Sequence, residues 1–392
     1  MNSEILNADV QDFINNSLEI NFTKVALLKN PFPEIPWNEI LNQIASKSKA
    51  KEKLPTWFSN EGIIYPSKIS IEQTSSEVTA DYKTTILSGE SMIDLTGGFG
   101  IDDYYFSKKI DDVIHCELKP ELSEIVSHNF KILNCKNITC IQGDSFKTLE
   151  NLNRQFDWIY IDPSRRSDAK GKVFMLQDCL PNVPENLEYY FTFSKRILIK
   201  TAPILDITAG LTELRNVKKI HIVALNNEVK ELLWEIKKDY VGAISIKTIN
   251  FGKTKKEKFE FDLNSKPKNP SYSLPKKYIY EPNSAILKSG AFDLISRAFM
   301  LEKLHQHSHL YTSDEIIDFP GRVFKIVNSF EFTKKNMKEN LQDTKANITT
   351  RNFPETVENI RKKYKIKDGG DSYTFLTTDV NNNKIVLICA KI

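Results

Sequence analysis

An α/β protein built on an open, largely parallel sheet, with helices ahead of the sheet and further mixed segments behind it, is what this sequence predicts. Three observations carry that expectation. Short apolar runs recur through the middle of the chain, and each closes in a polar cluster: Asp94-Leu95-Thr96-Gly97-Gly98-Phe99-Gly100, then Glu117, then Gly143-Asp144-Ser145, then Asp162-Pro163-Ser164-Arg165-Arg166. The first cluster is a two-glycine turn followed by a helical pattern. The composition then shifts to Pro, Ser, Asn and Lys over residues 264–277, ahead of a basic last segment. Open α/β sheets bind ligands beyond the carboxyl ends of their strands, so the polar clusters mark the functional edge.

In chain order, residues 1–85 read as a mostly helical region. Asp9 to Ile14 and Trp37 to Leu41 open amphipathic patterns that Asn30-Pro31-Phe32-Pro33 interrupts. Ser or Thr stands at capping distance before Glu77 and predicts a helix start, with Gln73 to Glu77 either part of a pocket lid or a plain cap. The sheet occupies residues 86–263. Its strands are expected at Ser91 to Leu95, Val113 to Cys116, Ile138 to Gln142, Phe156 to Ile161, Arg196 to Lys200 and Lys219 to Leu225. A helix around Glu228 to Ile236 and an antiparallel edge at Ala243 to Ile249 and Lys258 to Asp262 complete it. Residues 278–318 read as a small α/β unit, with a ferredoxin-like arrangement among the options, around a helix at Ala291 to Leu304. The last unit, 319–392, takes strands at Arg322 to Val327, Ser372 to Thr377 and Lys384 to Cys389, and a helix at Thr356 to Lys363.

Composition bounds the function. A chain of 392 residues with 40% hydrophobic content allows two to four domains with real cores. No apolar run reaches membrane-spanning length, and Met1-Asn2-Ser3-Glu4 lacks a basic leader with an apolar core. The five cysteines are odd in number and show no C-x-x-C spacing. These features predict a reducing, cytoplasmic setting without structural zinc or an iron–sulfur cluster. His305, His307 and His309 alternate, but no acid or cysteine accompanies them at ligand spacing, so a polar connector is the simpler reading.

The chemistry of the strand ends points to S-adenosylmethionine. That cofactor has no phosphate for the helix start, and its ammonium calls for an acid, which Asp94 supplies. Glu117, 17 residues beyond Gly100, is placed to accept both ribose hydroxyls, although this acid alone also suits NAD. Asp144 is placed to accept the adenine amino group, with Phe146 covering the ring face. After the strand Phe156 to Ile161, Pro163 fixes the loop backbone and Asp162 offers acceptors that suit a substrate amine. Methyl transfer from a sulfonium is an in-line displacement, so positioning a nitrogen lone pair supplies most of the acceleration.

On these motifs residues 70–262 resemble class I S-adenosylmethionine-dependent methyltransferases, which implies a Rossmann-like sheet. The resemblance implies a cofactor-binding set of Asp94, Thr96, Gly97, Gly98, Phe99, Gly100, Glu117, Leu118, Asp144, Ser145 and Phe146, and a catalytic loop of Asp162, Pro163, Ser164 and Arg165. Amino-methylating members carry Asp or Asn, Pro, Pro and an aromatic residue there; Ser164 and Arg165 depart from that pattern. The loop also resembles the Asp-Pro-Pro-Arg of some carbon-methylating RNA enzymes. Those need a cysteine after the next strand, and Arg196 to Pro203 holds none. Cys179, the nearest, reads as a packed thiol. Nitrogen is therefore the preferred acceptor, with ribose oxygen as an option.

Charge gathers at the end of the chain. Residues 319–392 hold fourteen Lys and Arg against eight Asp and Glu, a net of +6, in a chain whose total is +3. Arg361-Lys362-Lys363-Tyr364-Lys365-Ile366-Lys367 is the densest run, read either as a phosphate contact with a base against Tyr364 or as a solvated helix end. From Ala346 through Arg351-Asn352-Phe353-Pro354 to Lys367-Asp368-Gly369-Gly370 and the final strand, the segment resembles the THUMP-like domain that follows some of these methyltransferases. That resemblance implies an RNA partner, tRNA first. The readings carried forward are an RNA methyltransferase, a small-molecule methyltransferase, and a non-catalytic RNA-binding protein that keeps the fold.

Overall fold

The computed structural model describes residues 2–165, 175–265 and 270–392. The chain divides into two compact units, Met1–Lys218 with Leu233–Val241, and Lys219–Leu232 with Gly242–Ile392.

The first unit carries the parallel sheet. Its strands are β1 (Ser91–Asp94), β2 (Asp112–Glu117), β3 (Ile138–Gln142) and β4 (Trp158–Ile161). Next come the short antiparallel pair β5 (Ser164–Arg165) and β6 (Cys179–Leu180), then β7 (Arg196–Thr201). Five lie side by side, all parallel, in the order β7-β4-β1-β2-β3. The chain runs outward through β2 and β3 and returns to β4 on the other side of β1. Ligand crevices open at such a reversal, which here sets the ends of β1 and β4 side by side. Met92, Ile93, Ile159, Tyr160, Ile161, Ile197, Leu198 and Ile199 are all buried. Consecutive burial is what a parallel strand covered on both faces requires.

The helices before the sheet pack Trp57, Tyr65 and Ile71 against Phe99, Val126 and Phe130. Amide side chains pin the link between them. Asn129 bonds the N–H and C=O of Ile64 at 2.9 and 2.8 Å, and Gln43 does the same for Tyr65 at 2.9 and 2.7 Å. Ser76 caps the helix Glu77–Thr84. Glu77, a lid candidate in the sequence, is buried instead and accepts from the Thr56 N–H, the Thr56 hydroxyl and the Tyr105 hydroxyl at 2.6, 2.7 and 2.7 Å. It ties the helix to its neighbours.

One expected helix is a strand. Residues 228–236 lie in β9 (Glu228–Lys237), which follows β8 (Val217–Leu225) across Asn226 and Asn227, with φ of +52° and +65°. Two consecutive left-handed residues are the signature of a tight hairpin, and asparagine tolerates that region. The unbroken burial of Glu231 to Ile236 also fits a covered strand and not an amphipathic helix.

In the second unit β10 (Ser245–Phe251) runs parallel to β8, and β11 (Lys256–Asp262) antiparallel to β10. Only the outer of the two predicted edge strands is therefore antiparallel. A second sheet holds β12 (Tyr278–Pro282), β13 (Glu302–Lys303), β14 (Tyr311–Ser313), β15 (Gly321–Glu331), β16 (Asn347–Arg351), β17 (Ser372–Thr378) and β18 (Lys384–Lys391) in the order β13-β14-β12-β15-β18-β17-β16. Segments 278–318 and 319–392 share this sheet, because β12 pairs with β15. The helix expected over 291–304 is replaced by two shorter ones, Ser284–Ser289 and Phe292–Ala298, which Gly290 separates at φ +72°. Tyr364 is buried with Met337, Leu341 and Ile360, so it is a core residue and not a stacking platform. His305 bonds Asn382 and Asn352 at 3.1 and 3.0 Å, and His309 stacks on Phe292. Among the described residues no helix is long and apolar enough to cross a membrane.

Candidate active site

The turn after β1 rests on buried acids. Asp94 is 2% exposed, and its Oδ1 accepts from the Thr96 N–H at 2.7 Å and the Thr96 hydroxyl at 3.0 Å. Below it, Asp103 Oδ2 and His115 Nδ1 are 2.6 Å apart, both side chains fully buried. Burial, then the Asp103 carboxylate, pushes Asp94 well above the ordinary carboxylate range; burial, then Asp102, does the same to Asp103. Burial holds His115 below its usual value. The sequence placed Asp94 against a cofactor ammonium. The structure puts its carboxylate under the turn, where it holds the Thr96 backbone.

The three glycines have different jobs. A Cβ at Gly97 would meet the His115 ring at 2.2 Å, and one at Gly100 would meet Phe130 at 2.5 Å. Both positions are small so that β2 and the helix Pro120–Ile132 can close against the turn. Phe99 lies in the core beside Trp57 and Tyr65. Gly98 differs: at φ +58° the nearest atom to a Cβ is the Thr96 carbonyl at 3.6 Å, so its α-carbon faces open space. The close backbone approach expected of the whole turn falls to Gly98, and Gly97, Phe99 and Gly100 are packing residues.

At the end of β2, Glu117 clamps two loops. Its Oε2 accepts from the Gly98 N–H at 3.0 Å and its Oε1 from the Lys119 N–H at 2.8 Å. Each oxygen keeps a second lone pair for a hydroxyl. Leu118 beside it is 66% exposed. At the end of β3, a Cβ on Gly143 would meet nothing within 4 Å. Asp144 caps the helix Ser145–Leu152 by accepting from the N–H groups of Phe146 and Lys147, each at 3.1 Å. The Phe146 ring lies 5.3 Å from Tyr189 and 5.7 Å from Tyr190.

Beyond β4, Asp162 Oδ2 accepts from Lys200 Nζ at 2.5 Å. The Lys200 side chain is 11% exposed and that of Asp162 38% exposed. The Asp162 N–H donates to Thr96 Oγ1 at 2.7 Å, so a single hydroxyl joins the loop after β1 to the loop after β4. Pro163 is buried, Ser164 and Arg165 form β5, and Cys179 is buried in β6 opposite Arg165. Arg166 lies outside the described residues. Next to this pair, Asp102 accepts from Lys83 Nζ at 3.1 Å, Ser75 Oγ at 2.9 Å and the Tyr160 hydroxyl at 2.8 Å. Burial works against ionising Asp102, but the Lys83 and Lys200 ammoniums outweigh it and hold this carboxyl below its ordinary value.

Lys200, Lys83, Asp102, Asp103 and His115 were missed by the sequence reading. Lys200 left a signal: it is a cation at the carboxyl end of the apolar run Ile197-Leu198-Ile199, on the functional edge. So did Asp102 and Asp103, two acids in the first turn of the helix Ile101–Phe106. Asp102, whose carboxyl is held below its ordinary value, disfavours a pyrophosphate at that helix start. Together with the open face of Gly98 and the free lone pairs of Glu117, it fits a nucleoside that carries a positive charge.

The architecture and the rim define the class, and comparisons agree. Residues 278–320 match the model of a ferredoxin-like domain, and residues 321–391 that of a THUMP domain-like family. The crystal structure of a provisionally named methyltransferase from Porphyromonas gingivalis W83 overlays with a TM-score of 0.87 at 30% identity, covering 99% of this chain and 98% of that one. Weaker likenesses are an rRNA methylase from Streptococcus thermophilus (15% identity, 41% of this chain and 94% of that one, TM-score 0.30) and M. capricolum TrmK in complex with S-adenosyl-homocysteine (14%, 41% and 68%, 0.32). No curated protein matches. The chain belongs to the family of the P. gingivalis protein, methyltransferases with a Rossmann-like sheet and a C-terminal THUMP-like domain.

Proposed function

We propose that this protein binds S-adenosylmethionine on the rim of the first unit and methylates a nitrogen of an RNA, with tRNA the first candidate. The observation that carries the reading is the run of strand ends: Glu117 after β2, Asp144 after β3 and the Asp162–Lys200 pair after β4, around the open face of Gly98. Glu117 accepts the ribose hydroxyls, Asp144 the adenine amino group, and Leu118 and Phe146 cover the base. The cofactor supplies an electrophilic methyl group. Asp94, Thr96 and Glu117 hold the turn that shapes its seat, and Asp162 orients the acceptor nitrogen, so most of the rate comes from position. The second unit supplies RNA affinity through its basic end, where Lys362, Lys365 and Lys367 are exposed.

Mass spectrometry of nucleosides from tRNA and rRNA of cells with and without this protein tests the reading. One methylated nucleoside absent from the deficient cells and restored in vitro by the purified chain is the expected result. An unchanged nucleoside profile, with methyl transfer only to small molecules, overturns it.

A further inference from the structure

The second unit holds a buried acid with more positive charge around it than it needs. Glu281 in β12 is buried; its Oε1 accepts from Arg351 Nη2 at 2.8 Å, and its Oε2 from Arg322 Nε at 2.8 Å and from Arg322 Nη2. Arg322 faces Glu281 across the β12–β15 pair, and its guanidinium also lies over the Phe324 ring. Arg351 comes from the end of β16, with three strands between it and β12 in the sheet order. A flat sheet would set those two strands about 19 Å apart, so the sheet coils to close this contact. One guanidinium neutralises the acid, and the second is in excess.

That excess faces outward. The Arg322 and Arg351 side chains are 38% and 36% exposed, whereas the carboxylate that orients them is withdrawn from water. Arg351 Nε is buried without a partner among the described residues, and an orphan buried donor is a standing cost. His309 feels the same field: burial, then the Lys303 ammonium, the Arg351 guanidinium and His307, hold it down to about 4 against an opposing pull from Asp293. Lys303 bonds Asp293 at 2.6 Å, so that pair adds no net charge. A staple between segments 278–320 and 321–391 needs one cation. Two part-exposed guanidiniums held from behind by a single carboxylate suit a phosphate, whose oxygens planar forks match in pairs.

We infer that Arg322 and Arg351, oriented by Glu281, form a fork that takes one phosphate of the RNA backbone. This rests on the RNA reading above and deepens it, giving the second unit a fixed phosphate seat beside its exchangeable lysines. RNA is the occupant that the charges favour. Residues 319–392 carry a net +6, and the basic run 361–367 meets the chain just ahead of β16, where Arg361 donates to the Ala346 carbonyl at 3.0 Å and the Ala346 N–H to the Lys367 carbonyl at 3.1 Å. Arg351 closes the same strand, about 16 Å further along. A polyanion with regularly spaced charges engages both ends of such a strand; a single acidic side chain engages one.

The test uses the full chain, binding of total tRNA over a series of salt concentrations, and NMR titration of labelled histidines with inorganic phosphate and with total tRNA. Arg351→Gln is expected to weaken tRNA binding by about 10-fold or more and to reduce the slope of log affinity against log salt by about one, the share of a single phosphate contact. Arg351→Lys, which keeps the charge and a partner for Glu281 but loses the fork, keeps the slope and recovers part of the affinity. In the parent chain His309 titrates at a higher pH once tRNA is bound, because the phosphate offsets the field that holds it down. A purely structural staple moves neither the salt slope nor His309. Thermal unfolding of each variant separates a lost contact from a lost fold, and the histidine titration of the parent needs no variant. Parental tRNA affinity and slope in folded Arg351→Gln and Arg322→Gln, or a His309 that responds to inorganic phosphate and not to tRNA, overturns this inference and leaves the RNA reading standing. No RNA binding by the parent chain overturns both.

Discussion

Ion pairs on the rim of the first unit join residues far apart in the chain, whereas those around the basic run 361–368 of the second unit are local. Lys200 and Asp162 are separated by 38 residues, and Lys83 and Asp102 by 19. Arg361 and Asp368 are seven apart, Lys363 and Glu355 eight. Lys83 and Lys200 are largely withdrawn from water, while Asp368 is 84% exposed. Buried pairs are costly to desolvate and fix a geometry, so removing one partner leaves a charge stranded. Exposed local pairs are worth about 0–1 kcal/mol and exchange readily for phosphate oxygens. Charge therefore sets positions on the rim and makes exchangeable contacts along the run 361–368; elsewhere in the second unit Arg322 and Arg351 hold the buried Glu281 across 41 and 70 residues.

Four measurements sharpen or break that contrast, from the largest effect to the smallest. Asp162→Asn is expected to lower methyl transfer by about 100-fold, the cost of a misplaced acceptor, with cofactor affinity kept; calorimetry and single-turnover rates check both halves. Tyr364→Ala should cost about 3–5 kcal/mol of stability, as for other large buried aromatics, whereas the triple change Lys362→Ala, Lys365→Ala, Lys367→Ala should leave thermal unfolding in place and flatten the salt dependence of RNA binding. If Tyr364→Ala is silent in unfolding but weakens RNA binding, the core assignment is wrong. Glu117→Ala should weaken S-adenosylmethionine binding by about 1.5–3 kcal/mol, the worth of hydrogen bonds to a charged group, and equal affinity in calorimetry would remove it from the site.

The smallest effect concerns pH. Asp94 and Asp103 are held above their ordinary 3.8, so at a pH between that value and their raised ones the folded chain binds more protons than the unfolded chain. Stability then falls as pH rises through this window. His115, held below 6.5, gives the opposite slope: its stability contribution is lost as pH falls below that value. Asp103→Asn removes part of the acid contribution, so its stability relative to the parent should improve as pH rises, read from urea midpoints at several pH values.

Much of the first unit was legible because parallel strands buried on both faces leave unbroken apolar runs, and a run that ends in a polar cluster marks its own edge. Glu117, Asp144 and Asp162 stand at those strand ends as the residues foretold. What the glycines do was not legible: Gly97 and Gly100 are required by a histidine on β2 and a phenylalanine on the following helix, contacts that spacing does not encode. The strand β9 was lost for a local reason, since Asn226-Asn227 is a turn that looks like ordinary polar sequence. In the last segment net charge was readable but its disposition was not. The aromatic within the basic run faces inward, and Arg361 and Lys363 already have acidic partners.

The Thr96 hydroxyl receives the Asp162 N–H and donates to Asp94, so the seats proposed for the methyl donor and for its recipient share one atom. Energetic linkage between two ligands is reciprocal: whatever occupancy of one seat does to the affinity of the other, the reverse holds by the same factor. Thr96→Val cuts that thread, and the two binding events should then become independent of each other.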